Sequence, residues 1–345
     1  MTTRRQGPGG AAPDGVRLHV VSGKGGTGKT TVAAALALAL ATGGRRVLLV
    51  EVEGRQGVAQ LFDAPPLPYE ERRVAVAPGG GEVLALAIDA EEALLEYLEL
   101  FYRLGRAGRG LKKVGAVDFA TTIAPGLRDV LLTGKAYEAV GRRDRDGRPV
   151  YDAVVMDAPP TGRVVRFLNV NSEVAGLAKV GPIRSQADSI MGLLASPRTA
   201  VHLVTLLEEM PVQETVDAVA ELRAAGLPVG AVVVNMARDP RLEPAVLAAA
   251  AEGGLPRDGV AEALRAGGLE PDPAVLDALL AVGAEHAARA ALEARQRERV
   301  AALDRPVLEL PLLAEGVDLG ALYRFAEDLA PLAGAPARAA GGGPA

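Results

Sequence analysis

A doubly wound α/β fold on a mostly parallel sheet, with helical insertions, is predicted by three features of this 345-residue chain. Strand-like runs rich in Val and Leu recur at 16–21, 46–52, 151–156, 200–206, 229–234 and 306–310, mostly separated by helical stretches. These runs are apolar almost throughout rather than alternating, as strands are when helices cover both faces. The first run is followed at once by a glycine-rich turn and an Ala/Leu-rich helix, which in such folds places a ligand at the carboxyl ends of the strands.

Residues 1–15 are rich in Gly, Pro and Arg without periodicity and are expected to be disordered, as is the tail 333–345. Arg4-Arg5 is followed by Gln-Gly-Pro-Gly-Gly where an export signal needs an apolar core, so no signal peptide is expected. The domain proper is assigned to 16–332.

After the strand Val16–Val21 comes Ser22-Gly23-Lys24-Gly25-Gly26-Thr27-Gly28-Lys29-Thr30-Thr31. Gly23, Gly28, Lys29 and Thr30 satisfy G-x-x-x-x-G-K-[ST], the phosphate-binding loop of nucleotide triphosphatases. The glycines permit a tight turn in which the amides of Gly25, Gly26, Thr27 and Gly28, with those opening the helix at Lys29, Thr30 and Thr31, surround phosphate oxygens. Lys29 is then placed for the β and γ phosphates and the Thr30 hydroxyl for Mg²⁺, so ATP and Mg are the expected ligands. Two of the chain's six lysines sit in this loop.

The second strand leads into Glu51-Val52-Glu53-Gly54-Arg55-Gln56, and the third ends on Asp157. An aspartate closing a buried strand opposite a phosphate loop is suited to supporting the metal, which assigns Asp157 with Thr30 to Mg²⁺. A hairpin is expected over 72–88, where Val74–Val76 and Val83–Leu86 flank Pro78-Gly79-Gly80-Gly81. Residues 90–140 and 241–303 read as helical insertions, the second ending in a long Ala/Glu/Arg-rich helix at 272–303.

Composition narrows the function. The chain has no cysteine, which excludes disulfides, thiolate zinc or arsenite sites and cysteine-held iron–sulfur clusters. His19, His202 and His286 lie far apart in sequence and read as structural. A net charge of −5 gives no general affinity for nucleic acid. No apolar run reaches the ~20 residues needed to span a bilayer, so no integral membrane segment is expected, and the expected use of ATP places the chain in the cytoplasm.

Lys24 is superfluous to an ordinary phosphate loop, and with it Gly-Lys-Gly-Gly-Thr-Gly-Lys-Thr-Thr resembles the deviant Walker A loop of a class of dimerising ATPases. The segment Asp157-Ala158-Pro159-Pro160-Thr161-Gly162-Arg163-Val164-Val165-Arg166-Phe167-Leu168 narrows the resemblance to the arsenite-pump and tail-anchored-protein-targeting ATPases. It is supported by Val232-Val233-Val234-Asn235 and Leu310-Pro311-Leu312-Leu313, and it covers about residues 16–330. The resemblance implies an Mg-dependent ATPase acting as a dimer, a homodimer or a heterodimer with a paralogue. In it Lys24 crosses to the partner's phosphates, Asn235 and the loop at Pro311 and Leu312 hold the adenine, and a hydrophobic protein segment is the client.

Departures from the family pattern bear on mechanism. Where the family's first switch has Asp-Pro-Ala-His, this chain has Glu53-Gly54-Arg55-Gln56. The resemblance makes Glu53 the residue that positions the attacking water, with a carboxylate roughly 1.5 Å further out than aspartate's; the alternative is a solvated or partner-binding loop acid. The family's zinc-clamping and arsenite-holding cysteines are missing. In 90–140, the client position, Leu94, Leu95, Tyr97, Leu98, Leu100, Phe101 and Tyr102 read as core, and Arg103, Arg106, Arg109, Lys112 and Lys113 as a solvated face. Two other functions stay open: a weakly catalytic subunit paired with an active paralogue, and a partition or division-site ATPase acting on DNA or membrane.

Overall fold

The computed structural model describes residues 15–89, 91–96, 125–177, 182–239 and 242–334. In chain order the strands are β1 (Leu18–Gly23), β2 (Arg46–Glu51), β3 (Arg72–Ala77), β4 (Gly81–Ala87), β5 (Ala153–Asp157), β6 (Thr199–Thr205), β7 (Val229–Ala237) and β8 (Val307–Pro311). The helices are α1 (Lys29–Ala41), α2 (Gly57–Leu61), α3 (Pro125–Gly141), α4 (Thr161–Leu177), α5 (Pro182–Leu194), α6 (Glu209–Ala224), α7 (Pro244–Ala251), α8 (Arg257–Ala266), α9 (Pro273–Ala301) and α10 (Leu319–Asp328).

The strands form one sheet in the order β3-β4-β2-β5-β1-β6-β7-β8. Every neighbouring pair is parallel except β3 with β4. β1 is therefore central, and its carboxyl end opens into the glycine loop between β5 and β6. The first five apolar runs belong to this sheet, and so does the sixth, as β8 beside β7. The hairpin at 72–88 extends the opposite edge, because β4 pairs in parallel with β2. That docking needs a glycine: a Cβ on Gly81 would stand 1.8 Å from the Ala41 carbonyl oxygen.

Burial on both faces accounts for the continuous apolarity of the strands. One face, with Val21, Leu49 and Val155, packs under α1 and α10. The other, with Val20, Leu48, Val50, Val154 and Met156, packs under α3, α4 and α6. Helix α1 is buried from Val32 to Ala41, so its alternation of alanine and leucine lets it lie close to the sheet on one side and α10 on the other. Helix α3, which the sequence groups with the insertion 90–140, sends Leu131, Leu132, Ala136, Ala139 and Val140 into the core. Leu94 is buried and Leu95 packs against the same cluster. Tyr97 to Tyr102 and the basic residues Arg103 to Lys113 lie outside the described residues, as do 1–14 and 335–345. The excursion between β7 and β8 holds α7, α8 and α9, the last opened by Asp272, whose carboxylate accepts from the Ala274 amide at 2.7 Å. No helix among the described residues is long and apolar enough to cross a membrane.

Candidate active site

The glycine loop is pinned at both ends by the fold. β1 runs so close to β6 that a Cβ on Gly23 would lie 2.2 Å from the Val204 carbonyl oxygen. At the far end Gly28 has φ +84°, and the space of its missing Cβ is filled by Asn235 Nδ2 at 2.3 Å. Between them Gly25 and Gly26 are exposed, while Thr27 is buried and donates to the Lys24 carbonyl at 2.9 Å. The Ser22 hydroxyl donates to the Pro159 carbonyl at 2.6 Å, tying the loop's start to the segment after β5. Helix α1 starts at Lys29 with no side chain capping its first amides. The positive end of its dipole therefore faces the loop, as a phosphate site requires. Lys29 is 9% exposed, and Thr30 and Thr31 are half-buried.

Beside the loop, acidic groups converge. The Thr30 hydroxyl donates to Asp157 Oδ2 at 2.6 Å. Asp157 Oδ1 is buried without a hydrogen-bond partner among the described residues, and so is Glu51 Oε1. Glu51, to which the sequence assigns no role, stands in register with Asp157 on the adjacent strand, and its other oxygen accepts from the Val58 amide at 3.1 Å. Burial pushes the Asp157 carboxyl up to about 6, with Thr30 and Lys29 opposing the rise and Glu51 and Glu53 adding to it. Two orphaned carboxylate oxygens and a threonine hydroxyl next to a phosphate loop fit a hard divalent cation. No cluster of three or more His, Asp or Glu among the described residues could hold a metal alone. Magnesium in such a site would keep water and phosphate ligands, which is its usual habit.

Glu53 follows β2 and contributes to the field at Asp157. Its carboxylate is 22% exposed and lies 3.7 Å from Arg55 Nε. Gly54 has φ +66°, a conformation closed to proline, so the loop here follows a path that the Asp-Pro of the resembling family could not take. Gln56, also at positive φ, fixes the far end of the loop through the Leu67 backbone, accepting from its amide at 2.7 Å and donating to its carbonyl at 3.1 Å.

The second loop lysine is engaged within its own chain. Lys24 Nζ donates to Glu214 Oε1 on α6 at 2.6 Å, and the Thr161 hydroxyl, at the start of α4, donates to Glu214 Oε2 at 3.0 Å. Hydrogen bonding from Lys24 is the largest influence on Glu214 and holds its carboxyl below the usual range.

On the side of β1 away from β5, Asn235 Nδ2 donates to the Thr27 carbonyl at 2.9 Å, leaving Oδ1 as the amide's acceptor. Leu312 reaches this wall through its amide, which donates to the Ala237 carbonyl at 2.9 Å; Pro311 and Leu312 are exposed. Met236, unremarked in the sequence, is 40% exposed at positive φ and approaches Gly28. Thus Lys24, Lys29, Thr30, Asp157 and Asn235 meet around one loop, with Glu53, Pro311 and Leu312 on its flanks. Glu51 has a legible signal, an acid ending an apolar run, whereas nothing local to Glu214 signals its pairing with Lys24, 190 residues away.

A protein-family model described as anion-transporting ATPase matches residues 16–196. The chain is 57% identical over 316 residues to ATPase BagA of Mycobacterium tuberculosis, covering 92% of this chain and 93% of that protein. It is 30% identical over 232 residues to the arsenical pump-driving ATPase of Acidiphilium multivorum, covering 62% and 38%. Against ATPase GET3 of Kluyveromyces lactis it is 27% identical over 201 residues, 56% of each chain.

Proposed function

Because this chain belongs to the anion-transporting ATPase family and is an ATPase, we propose that it works in the cytoplasm as a magnesium-dependent, nucleotide-gated dimer whose two switch loops report the phosphate state to a protein partner. The observation that carries this reading is the contact of the Thr30 hydroxyl with Asp157, 2.6 Å, beneath a pinned glycine loop and beside a buried Lys29.

In this reading the triphosphate lies along the amides from Gly25 to Thr31, with Lys29 reaching the β and γ oxygens. Magnesium, when bound there, would supply charge neutralisation for the phosphates. The Thr30 hydroxyl, together with Asp157 and Glu51, each with one uncommitted oxygen, would hold the metal. Glu53 orients the attacking water and accepts its proton; the positive φ of Gly54 carries the longer glutamate along a different loop path from that of an Asp-Pro pair. Asn235 Oδ1 accepts from the adenine amino group, and the loop at Pro311 and Leu312 covers the ring.

Lys24 gives the dimer its dependence on nucleotide. Within one protomer it pairs with Glu214; across a closed interface it would exchange that carboxylate for the partner's phosphates. Glu214 also holds Thr161 at the start of the second switch, so departure of Lys24 changes the hydrogen bonding of α4 at its first residue. A thiolate arsenite site is ruled out by the absence of cysteine, and the partner is more simply a protein. Phosphate release from purified protein with Mg·ATP, compared with Lys29→Ala, tests the reading: activity should vanish in the variant, and equal activity in both proteins would refute it.

A further inference from the structure

At the opposite end of the sheet from the glycine loop, a cavity of about 250 Å³ lies between the amino ends of β1 and β5, the carboxyl end of α1 and the short 3₁₀ turn Ala330–Ala333. Arg17, His19, Arg45 and Asp152 provide its charged and polar side chains, among Val16, Leu40 and Leu332. Nothing in the nucleotide mechanism uses these groups.

The protonation of His19 can be worked out from its neighbours. The Ala231 amide donates to His202 Nδ1 at 3.1 Å, so that nitrogen is an acceptor. His202 Nε2 must then carry its ring's proton, and it faces His19 Nδ1 at 3.1 Å. His19 Nδ1 accepts, which leaves the His19 proton on Nε2. Both rings are neutral at physiological pH: burial pulls His19 down to about 3 and His202 to about 4. His19 is 2% exposed, and its Nε2 has no hydrogen-bond partner among the described residues. The Val16 backbone favours a protonated ring through a weak hydrogen bond whose geometry leaves Nε2 unsatisfied.

A second donor is in the same condition. Arg17 Nε is buried and unpartnered, while its Nη2 donates to the Tyr151 carbonyl at 2.7 Å. The local charge is positive. Arg45 also lines the cavity, and Arg143 and Arg198 stand close enough to Arg17 to oppose its charge. Asp152 is the one carboxylate among the lining residues, and its Oδ2 already accepts from the Arg46 amide at 2.8 Å. Buried donors without acceptors are costly to the fold, and a cavity of this size has room for several waters or a small ligand.

We propose that this cavity is a second binding site, separate from the nucleotide site, for a small oxyanion of the phosphate or carboxylate class, gripped by Arg17, Arg45 and the Nε2 proton of His19. Guanidinium groups favour oxyanions of this kind, and the neutral imidazole contributes a directed donor rather than charge.

With only three histidines in the chain, imidazole N–H resonances can be followed individually by ¹⁵N-correlated NMR. The experiment uses Lys29→Ala protein, so that anions do not report through the glycine loop, and titrates inorganic phosphate in one arm and acetate in another. Millimolar anion is expected to shift the His19 Nε2 proton and raise the melting temperature, with about tenfold weaker binding in Arg45→Gln. Arg17→Lys, which keeps the charge and removes Nε, should also weaken binding. A response to phosphate alone assigns the phosphate class, and a response to acetate assigns carboxylates. A His19 signal unmoved by either anion, or moved equally in both arginine variants, would overturn the proposal.

Discussion

Lys24 Nζ and Glu214 Oε1 lie 2.6 Å apart, joining the glycine loop to α6 across 190 residues of sequence. Both side chains are about one-third exposed, 31% and 34%, so the pair contributes only about 0–1 kcal/mol and can be exchanged for a better partner without unfolding anything. Replacing Glu214 by Gln weakens the hold on Lys24. The expected result is ATP-dependent dimerisation tightened by about threefold, with thermal stability of the isolated chain little changed, as read by sedimentation velocity. Weaker dimerisation in Glu214→Gln would mean that Glu214 serves the closed state.

Glu53→Gln removes a proton acceptor while keeping size and polarity. Turnover should fall by about 10²–10⁴ while nucleotide affinity is retained, measured by single-turnover phosphate release and calorimetry. Undiminished turnover would remove Glu53 from the chemistry.

Asp157 makes the protein without nucleotide pH-sensitive. Its folded pKa is raised to about 6 from an ordinary carboxylate value, so the native state binds more protons than the unfolded chain between about pH 4 and 6. Its contribution is favourable below that window and is lost as pH rises through it, by up to about 3 kcal/mol. Asp157→Asn should therefore raise the melting temperature at neutral pH without nucleotide, flatten the dependence over the window and abolish the stabilisation by magnesium. Denaturation curves at several pH values, with and without Mg·ADP, check all three. An unchanged slope would contradict burial as the cause.

Gly28→Ala meets two obstacles, the positive φ of +84° and Asn235 Nδ2 at 2.3 Å from the new Cβ. It should cost about 1–3 kcal/mol of stability and, by displacing Asn235, weaken ATP binding more than binding of inorganic phosphate. Denaturant titration and calorimetry with the two ligands separate these effects.

Much of this architecture was legible because its signals are local. The glycine loop declares itself within ten residues, and Asp157 as an acid closing an apolar run. The hairpin at 72–88 was readable from its glycines, but its place in the main sheet depends on Gly81 meeting the end of α1, a contact no local pattern encodes. Glu51 carries the same signal as Asp157, but the family resemblance puts its aspartate at Glu53. Glu214 and the pairing of His19 with His202, 190 and 183 residues from their partners in sequence, follow from the order of strands and could not be read before that order was known. The resemblance sends Lys24 across an interface; its hold on Glu214 within the chain is visible only in the folded structure.

The claim that nucleotide binding and protomer pairing are one event is tested most directly by the mass in solution. Static light scattering of the purified chain, with calorimetry confirming occupancy, should give the single-chain mass of 35.5 kDa without nucleotide and twice that with Mg·ADP and aluminium fluoride, and Lys24→Ala should bind nucleotide yet keep the single-chain mass. A mass that stays at one chain with the site saturated, or doubles equally in Lys24→Ala, would contradict it.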